Sequence, residues 1–319
     1  MLSVCVTFKP LSAFATALKG DTLFGQLCWA IRNRFGEQRL SDCLSGYDQN
    51  QPFAVVSDAF PEGYLPLPKL PGFFYESEET LDRKALKKRN WLPLAELAKP
   101  VAEWQSVAVD AKTINAGSTS SLSEKHPQPH NTINRQTNTT GENGFAPYAV
   151  EQEWFVPALQ WTLYLLLDPT KISREECQQC LEDISQFGYG KDASIGMGKF
   201  EIIEFVDQPL PAQSVSNACL TLAPSAPQAL GFNADNSFYQ LFTRFGRHGD
   251  IAVHQAGKPF KNPILLAQTA AVFSTQPPAS GFIGQGIGGN GELSKTIRET
   301  VHQGYAPVIA IQFNAKECS

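Results

Sequence analysis

The order of elements predicted from the sequence indicates an α+β fold, and three observations carry this prediction. Residues 1–9 alternate apolar and polar side chains, which predicts a strand, and Asp21–Phe35 has helical periodicity. A second strand, helix and strand are predicted at Leu159–Leu167, Ser173–Phe187 and Phe200–Phe205. Strands and helices in this order are typical of ferredoxin-like and RNA-recognition-like sandwiches. We therefore expect such a sandwich.

Both predicted helices begin at a short polar side chain that caps a helix well. Asp21 is predicted to cap the first helix, and Gly36 is predicted to end it. Ser173 is predicted to cap the second helix, with Glu175 and Glu176 in the first turn, where the helix dipole favours negative charge.

The domain organisation follows from changes in composition. Residues 81–97 are charged and compatible with a helix, but Thr113–Gly144 consists mostly of Asn, Ser, Thr, Gly and Gln. Such a segment cannot bury enough apolar surface to fold alone, so it is either functional or disordered. We predict an N-terminal domain over residues 1–208 with an irregular insertion at about 99–147, and a second domain over 216–319.

Composition excludes several classes of protein. The chain has 319 residues, and no apolar run approaches the roughly 20 residues of a membrane helix. The first residues lack the basic segment of a secretion signal, so we expect a cytoplasmic protein without membrane contact. The net charge of −5 disfavours a stand-alone nucleic-acid binder, although local basic patches still allow phosphate binding.

The seven cysteines indicate neither a disulfide framework nor a metal site. Their number is odd and their spacing does not repeat. Cys177 and Cys180 form a single CxxC pair, which lacks the two further ligands of a structural zinc site. We expect buried thiols, no metal and no cofactor.

The glycine-rich segment Gly188–Phe200 is the strongest candidate for a binding loop. Glycines bring backbone N–H groups close to a ligand, and consecutive N–H groups form concavities that bind anions. A Walker A loop is excluded, because the spacing fails and Phe200 follows Lys199. The alternative is a purely structural turn. The predicted RNA-binding residues of this segment are Gly188, Gly190, Lys191, Ser194, Gly196, Gly198 and Lys199.

Three further segments are candidates for RNA binding. The polar insertion carries donors and little negative charge, the segment around Phe245 combines arginines with aromatic rings that can stack on bases, and residues 284–289 match GxGxxG. The last match lacks the strand–turn–helix context of a dinucleotide site, so a backbone-binding or packing loop is expected there. For the first two segments, disorder and exposed surface charge are the alternatives. The predicted RNA-binding residues are His130, Asn131, Asn134 and Arg135, then Arg244, Arg247 and Lys261, and finally Gly284 and Gly286.

Catalysis has little support in the sequence. The five histidines show no spacing typical of a metalloenzyme, and neither a nucleophile elbow nor an acidic metal motif is present. We therefore predict a protein that is not an enzyme.

Three segments together resemble the RAMP superfamily of CRISPR proteins. They are Gly20–Ala30, Asn131–Thr140 leading into Glu151–Phe155, and Gly188–Phe200. Their order and the length of the chain resemble the Cas-five group, in particular the fourth subunit of type III-A Csm effector complexes. The resemblance covers most of the first predicted domain and is looser in the second.

This resemblance implies two ferredoxin-like domains with glycine-rich loops and a thumb-like insertion. It implies a non-catalytic subunit for antiviral defence that caps the 5′ tag of the crRNA and bridges the large polymerase-like subunit and the backbone RAMP subunit. The thumb would enter the duplex of guide and target RNA. Lys191, Ser194 and Lys199 would then face the tag phosphates. The alternatives are a guide-RNA-processing endoribonuclease of the same superfamily and a nucleotide-binding enzyme that uses residues 284–289.

Overall fold

Two antiparallel sheets form the framework of the computed structural model, which describes residues 1–75, 83–141, 146–228, 230–249 and 260–314. The α-helices over these residues are α1 (Gly20–Phe35), α2 (Glu37–Leu44), α3 (Arg83–Leu86), α4 (Trp104–Val107), α5 (Ala111–Ile114) and α6 (Arg174–Phe187). The strands of the first half are β1 (Leu2–Pro10), β2 (Ala54–Pro61), β3 (Tyr64–Pro66), β4 (Trp91–Pro93), β5 (Ser123–His130), β6 (Tyr148–Phe155), β7 (Trp161–Leu167) and β8 (Phe200–Asp207). Those of the second half are β9 (Ala218–Thr221), β10 (Asn233–Phe238), β11 (Leu241–Arg244), β12 (Ile264–Ala267), β13 (Val272–Ser274), β14 (Phe282–Gly288) and β15 (Val301–Ile311).

The first sheet has the strand order β2-β7-β1-β8, and every neighbouring pair is antiparallel. Helices α1 and α6 connect its strands as β1-α1-β2 and β7-α6-β8. Leu27 and Ile31 of α1 and Leu181 of α6 are buried in one apolar core with Leu165 of the central strand β7. The predicted α+β fold is confirmed at this level, because the two periodic helices cover the apolar sheet that these four strands form.

The predicted helix boundaries are confirmed at three of four ends. The Ser173 hydroxyl accepts a hydrogen bond from the Glu176 N–H, and Glu176 accepts one from the Ser173 N–H, which makes a capping box. Gly36 ends α1 with a φ of 95°, and α6 ends at Phe187 as predicted. The capping role predicted for Asp21 is wrong: α1 begins at Gly20, and the Asp21 side chain is buried against distant partners described below.

The second sheet has the order β10-β13-β9-β15-β14. The described residues from 216 onward contain no helix, so another layer must cover this sheet. Short elements of the first half do so: Leu65 of β3, Leu92 of β4 and Trp104 of α4 share a buried cluster with Leu220 and Ile309 of the sheet. The two halves of the chain therefore share their apolar core.

Three predictions of local structure made from the sequence are wrong. Residues 83–97 form only a short helix and then strand β4, because β4 pairs with β3; positions 81 and 82 lie outside the described residues. The insertion is not irregular, since β5 pairs with β6 from Ser123↔Phe155 to His130↔Tyr148 and gives the polar segment a hairpin. The second glycine cluster is largely strand β14 rather than a loop, because it pairs with β15 along its length.

No helix among the described residues is both long and apolar enough to cross a bilayer.

Candidate nucleic-acid interface

Three elements of the first half meet at the buried ring of Phe14. The backbone of Phe14 exchanges two hydrogen bonds with Glu153 of β6, at 2.9 and 2.8 Å. Its ring lies edge-on to Phe155, with centroids 5.3 Å apart, and 6.1 Å from the ring of Tyr189. The base of the β5–β6 hairpin, the segment 11–19 and the glycine loop 188–200 therefore form one surface. Sequence reasoning missed Phe14, whose only signal was an apolar residue in a short connection.

The glycine loop is anchored through its own backbone N–H groups. The N–H of Gly198 donates to the Ala13 carbonyl at 2.8 Å. The N–H groups of Lys191 and Lys199 donate to the hydroxyls of Thr16 and Ser12, at 2.8 and 2.9 Å. Because these donors are used inside the protein, they are not free to bind an anion. The side chains of Lys191, Ser194 and Lys199 are exposed, so contacts of this loop with phosphates would come from side chains.

Gly198 explains why the loop closes so tightly on its neighbours. Its φ is +71°, and a Cβ at this position would lie 2.2 Å from the Tyr189 carbonyl oxygen. Gly188 and Gly190 are enclosed in the same way, whereas a Cβ on Gly196 would meet open space. The glycines thus serve close approach of backbone to backbone as well as positive φ.

The β5–β6 hairpin separates its charges between shaft and tip. Glu124 and Glu151 are exposed on the shaft, where Lys125 pairs with Glu151 at 2.8 Å. In the described part of the tip, Arg135 is exposed and residues 131–141 contain no acidic side chain; Glu142 follows outside the described residues. Nucleic acid would therefore be favoured at the tip, since carboxylates along the shaft repel phosphates.

The predicted tip residues lie close together in the chain and differ in exposure. Asn131 and Arg135 are exposed, while Asn134 is half-buried and its side chain accepts a hydrogen bond from the N–H of Gln136. His130 ends β5, and its ring stacks on Tyr148 with centroids 5.2 Å apart. The tip thus presents amide and guanidinium donors next to a stacked aromatic pair.

Arg244 lies in a buried ion-pair network that joins the two halves of the chain. Its Nε and Nη2 donate to the Asp21 carboxylate at 2.7 and 2.9 Å, and His302 Nε2 lies 3.1 Å from the same carboxylate. Lys261 lies near this network: its charge contributes to the lowered pKa of His302. Burial lowers the pKa of Lys261 itself, and its interactions with Cys28 and Asp21 oppose that shift. Arg244 is therefore placed to hold β11 against α1.

The buried carboxylate is kept charged by its partners. Burial alone would raise the pKa of Asp21, but the hydrogen bond from His302 and the pairing with Arg244 outweigh it, and the pKa lies below its ordinary value. Burial lowers the pKa of His302 more than Asp21 raises it. Burial and Lys261 likewise lower the pKa of His248, whose Nε2 lies 2.8 Å from the Ser294 hydroxyl.

These shifts predict a protein that loses stability as the pH falls from 7 to 5. Both histidines have a lowered pKa in the folded state, so the unfolded chain binds more protons below the ordinary histidine value near 6.5. Asp21 adds to this loss only at lower pH, near and below its own range. We expect urea midpoints to fall between pH 7 and 5, with a smaller fall for His302→Gln. Exposed His126→Gln is the control; an equal fall in all three proteins would contradict the assignment.

The remaining predicted residues lie in the second half. Gly284 and Gly286 are within β14, where a Cβ on Gly286 would lie 2.4 Å from the Tyr47 carbonyl oxygen. The packing role expected for these glycines fits that geometry. Arg247 is exposed and lies over the ring of Phe260 at 5.8 Å.

In the part of the chain that the structure describes, no group of three or more His, Cys, Asp or Glu side chains is arranged to hold a metal ion. Cys177 and Cys180 are buried in α6 as free thiols. Burial raises the pKa of both, that of Cys180 to about 12, which disfavours the thiolate that a metal needs.

Comparisons with known proteins place this architecture among solved structures. No protein-family model and no curated protein matches the sequence. By structure, the chain matches Csm4 in a crystal structure of the Csm1–Csm4 cassette with cA4, with a TM-score of 0.62 and 16% identity, over 99% of this chain and 100% of the other. This chain has the fold of Csm4. A Csm3–Csm4 subcomplex of a type III-A interference complex matches with a TM-score of 0.60 and 16% identity, over 98% of this chain and 100% of the other.

The likeness to Csm4 includes both halves of the sequence. A third structure, the Csm1–Csm4 cassette with one ATP, matches over 99% of this chain at a TM-score of 0.60 and 15% identity. Because identity is this low, the fold is shared while few individual side chains are.

Proposed function

We propose that the chain is a non-catalytic crRNA-binding subunit of a type III, Csm-type CRISPR effector complex. It caps the 5′ tag of the crRNA and bridges the large polymerase-like subunit and the backbone RAMP subunit. The observation that carries this proposal is the Csm4 fold over 99% of the chain, because the matching structures contain Csm4 in complex with Csm1 or Csm3. The experiment is purification of the tagged chain with its neighbouring subunits, followed by sequencing of the bound RNA. Recovery of the tagged chain and its neighbouring subunits without a crRNA of defined 5′ end would contradict the proposal.

The finer architecture belongs to the same proposal: two ferredoxin-like domains over residues 1–208 and 216–319. The order β8-β1-β7-β2, with α1 and α6 in two split βαβ units, supports this for the first domain. The antiparallel five-stranded sheet supports a second domain, although segments of the first half supply its covering layer.

We assign the RNA contacts to two parts of the surface that meets at Phe14. Lys191, Ser194 and Lys199 bind tag phosphates through their side chains, because the N–H groups of both lysines already have acceptors. The hairpin tip contacts the duplex of guide and target RNA through His130, Asn131, Asn134 and Arg135. Arg244 positions the second half rather than reaching RNA itself, because its guanidinium pairs with the buried Asp21. Lys261 stays a predicted RNA contact.

The absence of catalysis is also part of the proposal. RNA cleavage needs an acid–base group beside the RNA, and the glycine loop that faces the tag contains no histidine. His130 is the histidine assigned to RNA, at the hairpin tip, where its ring is stacked on Tyr148. His248 and His302 are buried, and their Nε2 atoms lie within hydrogen-bond distance of the Ser294 hydroxyl and the Asp21 carboxylate. Position 254 lies outside the described residues. Specific cleavage of repeat RNA by the pure chain would instead support the guide-processing endoribonuclease.

Replacement of both loop lysines tests the assignment directly. We expect Lys191→Ala with Lys199→Ala to lower guide affinity in the assembled complex by about tenfold and to leave the melting temperature unchanged. The slope of log affinity against log salt should become less steep by about 1.4, as for the loss of two single-strand phosphate contacts. Lys112→Ala with Lys295→Ala, two exposed lysines elsewhere, is the matched control. Guide binding equal to that of the control would show that the loop does not bind the tag.

A further inference from the structure

The ribbon formed by β11 and β12 has one apolar face packed inside the protein and a second apolar face in solvent. Its pairing brings Thr243 opposite Leu265, and a bridge continues it to Arg247 opposite Phe260. Residues opposite each other, and residues two apart, share a face of a ribbon. The outer face therefore contains Leu241, Thr243, Phe245, Arg247, Phe260 and Leu265. Ala267, opposite Leu241, belongs to the same face but is buried, so the face opens to solvent beyond that end.

The outer face is unusually exposed for its composition. Leu241, Phe245, Phe260 and Leu265 are 54%, 73%, 64% and 51% exposed. Contiguous exposed apolar surface of this kind marks an interaction site. The inner face, by contrast, is fixed to α1 through the Arg244–Asp21 ion pair. The outer residues are consequently held on a rigid support.

Charge distinguishes between the possible occupants of the outer face. Among the described residues of the ribbon, Arg247 is the one cation of this face, and 241–249 and 260–267 contain no acidic residue; the connection 250–259 lies outside the described residues. A nucleic-acid surface needs several cations for phosphates, and Arg244 already pairs with Asp21. Aromatic and aliphatic side chains around one arginine, without lysine or acid, match the core of a protein–protein interface.

The same charges disfavour a second copy of this chain. A twofold contact uses the same patch on both copies, so each would bring Arg247 into a face whose described residues offer no carboxylate. A different protein can supply that carboxylate.

We propose that the outer face of the β11–β12 ribbon docks a protein subunit of the effector complex that presents an apolar strip with an acidic side chain opposite Arg247. This rests on the proposed function, which provides two protein neighbours, the polymerase-like subunit and the backbone subunit. The partner gains apolar burial from the four large side chains and an ion pair from the arginine.

The experiment is co-expression of the tagged chain with the polymerase-like subunit, the backbone subunit and the guide. We expect Phe245→Ser with Leu265→Ser to lower recovery of one protein subunit by roughly tenfold or more. Arg247→Glu should do the same, and Arg247→Lys should retain part of the binding. The control is Phe73→Ser with Val215→Ser, two exposed apolar residues elsewhere. All these side chains are exposed, so the variants should melt like the parent chain.

Each other outcome overturns the proposal. Loss of guide with both protein subunits retained would mean that the face binds RNA. A dimer of the isolated chain in light scattering, lost in the variant, would mean that a second copy binds there. Unchanged recovery of all components from the variants would refute the docking role of this face and leave the proposed function intact. Failure of the parent chain to assemble with either subunit would refute the proposed function itself.

Discussion

Replacing Asp21 by alanine is expected to lower the free energy of unfolding by about 3–5 kcal/mol, as for other buried ion pairs that lose one partner. The Asp21 carboxylate is fully buried and accepts from Arg244 and His302. Without it, the Arg244 guanidinium and the nearby Lys261 would keep their positive charges in a partly desolvated site. Chemical denaturation followed by tryptophan fluorescence measures the loss.

A second arginine–aspartate pair provides a matched control. Arg34 also binds Asp183 through Nε and Nη2, at 2.6 and 2.7 Å, but on the surface. Asp183→Ala should leave stability nearly unchanged, because water and salt screen an exposed pair. Asp21→Asn should give an intermediate loss, since it keeps the shape and one acceptor but removes the charge. Equal stabilities for Asp21→Ala and Asp183→Ala would refute the structural role of the buried pair.

Replacing Gly198 by alanine is expected to cost about 3 kcal/mol and to release the glycine loop from the segment 11–19. The added Cβ would lie 2.2 Å from the Tyr189 carbonyl oxygen, and the φ of +71° is unfavourable for alanine. The backbone must therefore move, which breaks the hydrogen bond from Gly198 to Ala13. Because Lys199 is the next residue, guide binding should fall at least as far as in the double-lysine variant.

Gly196→Ala separates backbone strain from steric contact. Gly196 has a φ of +98°, but a Cβ there would meet open space. We expect a cost of only about 1–2 kcal/mol from the left-handed conformation, and near-normal guide binding. Melting temperature and guide affinity measured on both variants give the comparison. Similar effects of the two substitutions would mean that close packing at Gly198 is not what positions the loop.

The two variants would also decide how this loop contacts RNA. A glycine-rich loop is usually expected to bind phosphate with its N–H groups. Here the N–H groups of Lys191, Gly198 and Lys199 are used to hold the loop in place. The glycines then act indirectly, by fixing the positions from which the lysine side chains extend.

Local features of the sequence determined the framework of the fold. The alternation in β1, the apolar run of β7 and the helical periodicity of α1 and α6 depend on side chains a few residues apart, and so does the capping box at Ser173. The same local reasoning identified the glycine-rich segment as a tight loop. Such features are readable because the hydrogen bonds and burial patterns that cause them repeat within one element.

Only the tertiary structure decided which residues work together. Asp21 is a good N-cap residue by type, but its partners Arg244 and His302 lie 223 and 281 residues away. The β5 strand depends on pairing with β6, because its own composition, with Pro127 and Pro129, gives no strand signal. Ion pairs, strand pairing and close backbone contacts form between distant segments, and their free energy depends on geometry that no local pattern contains.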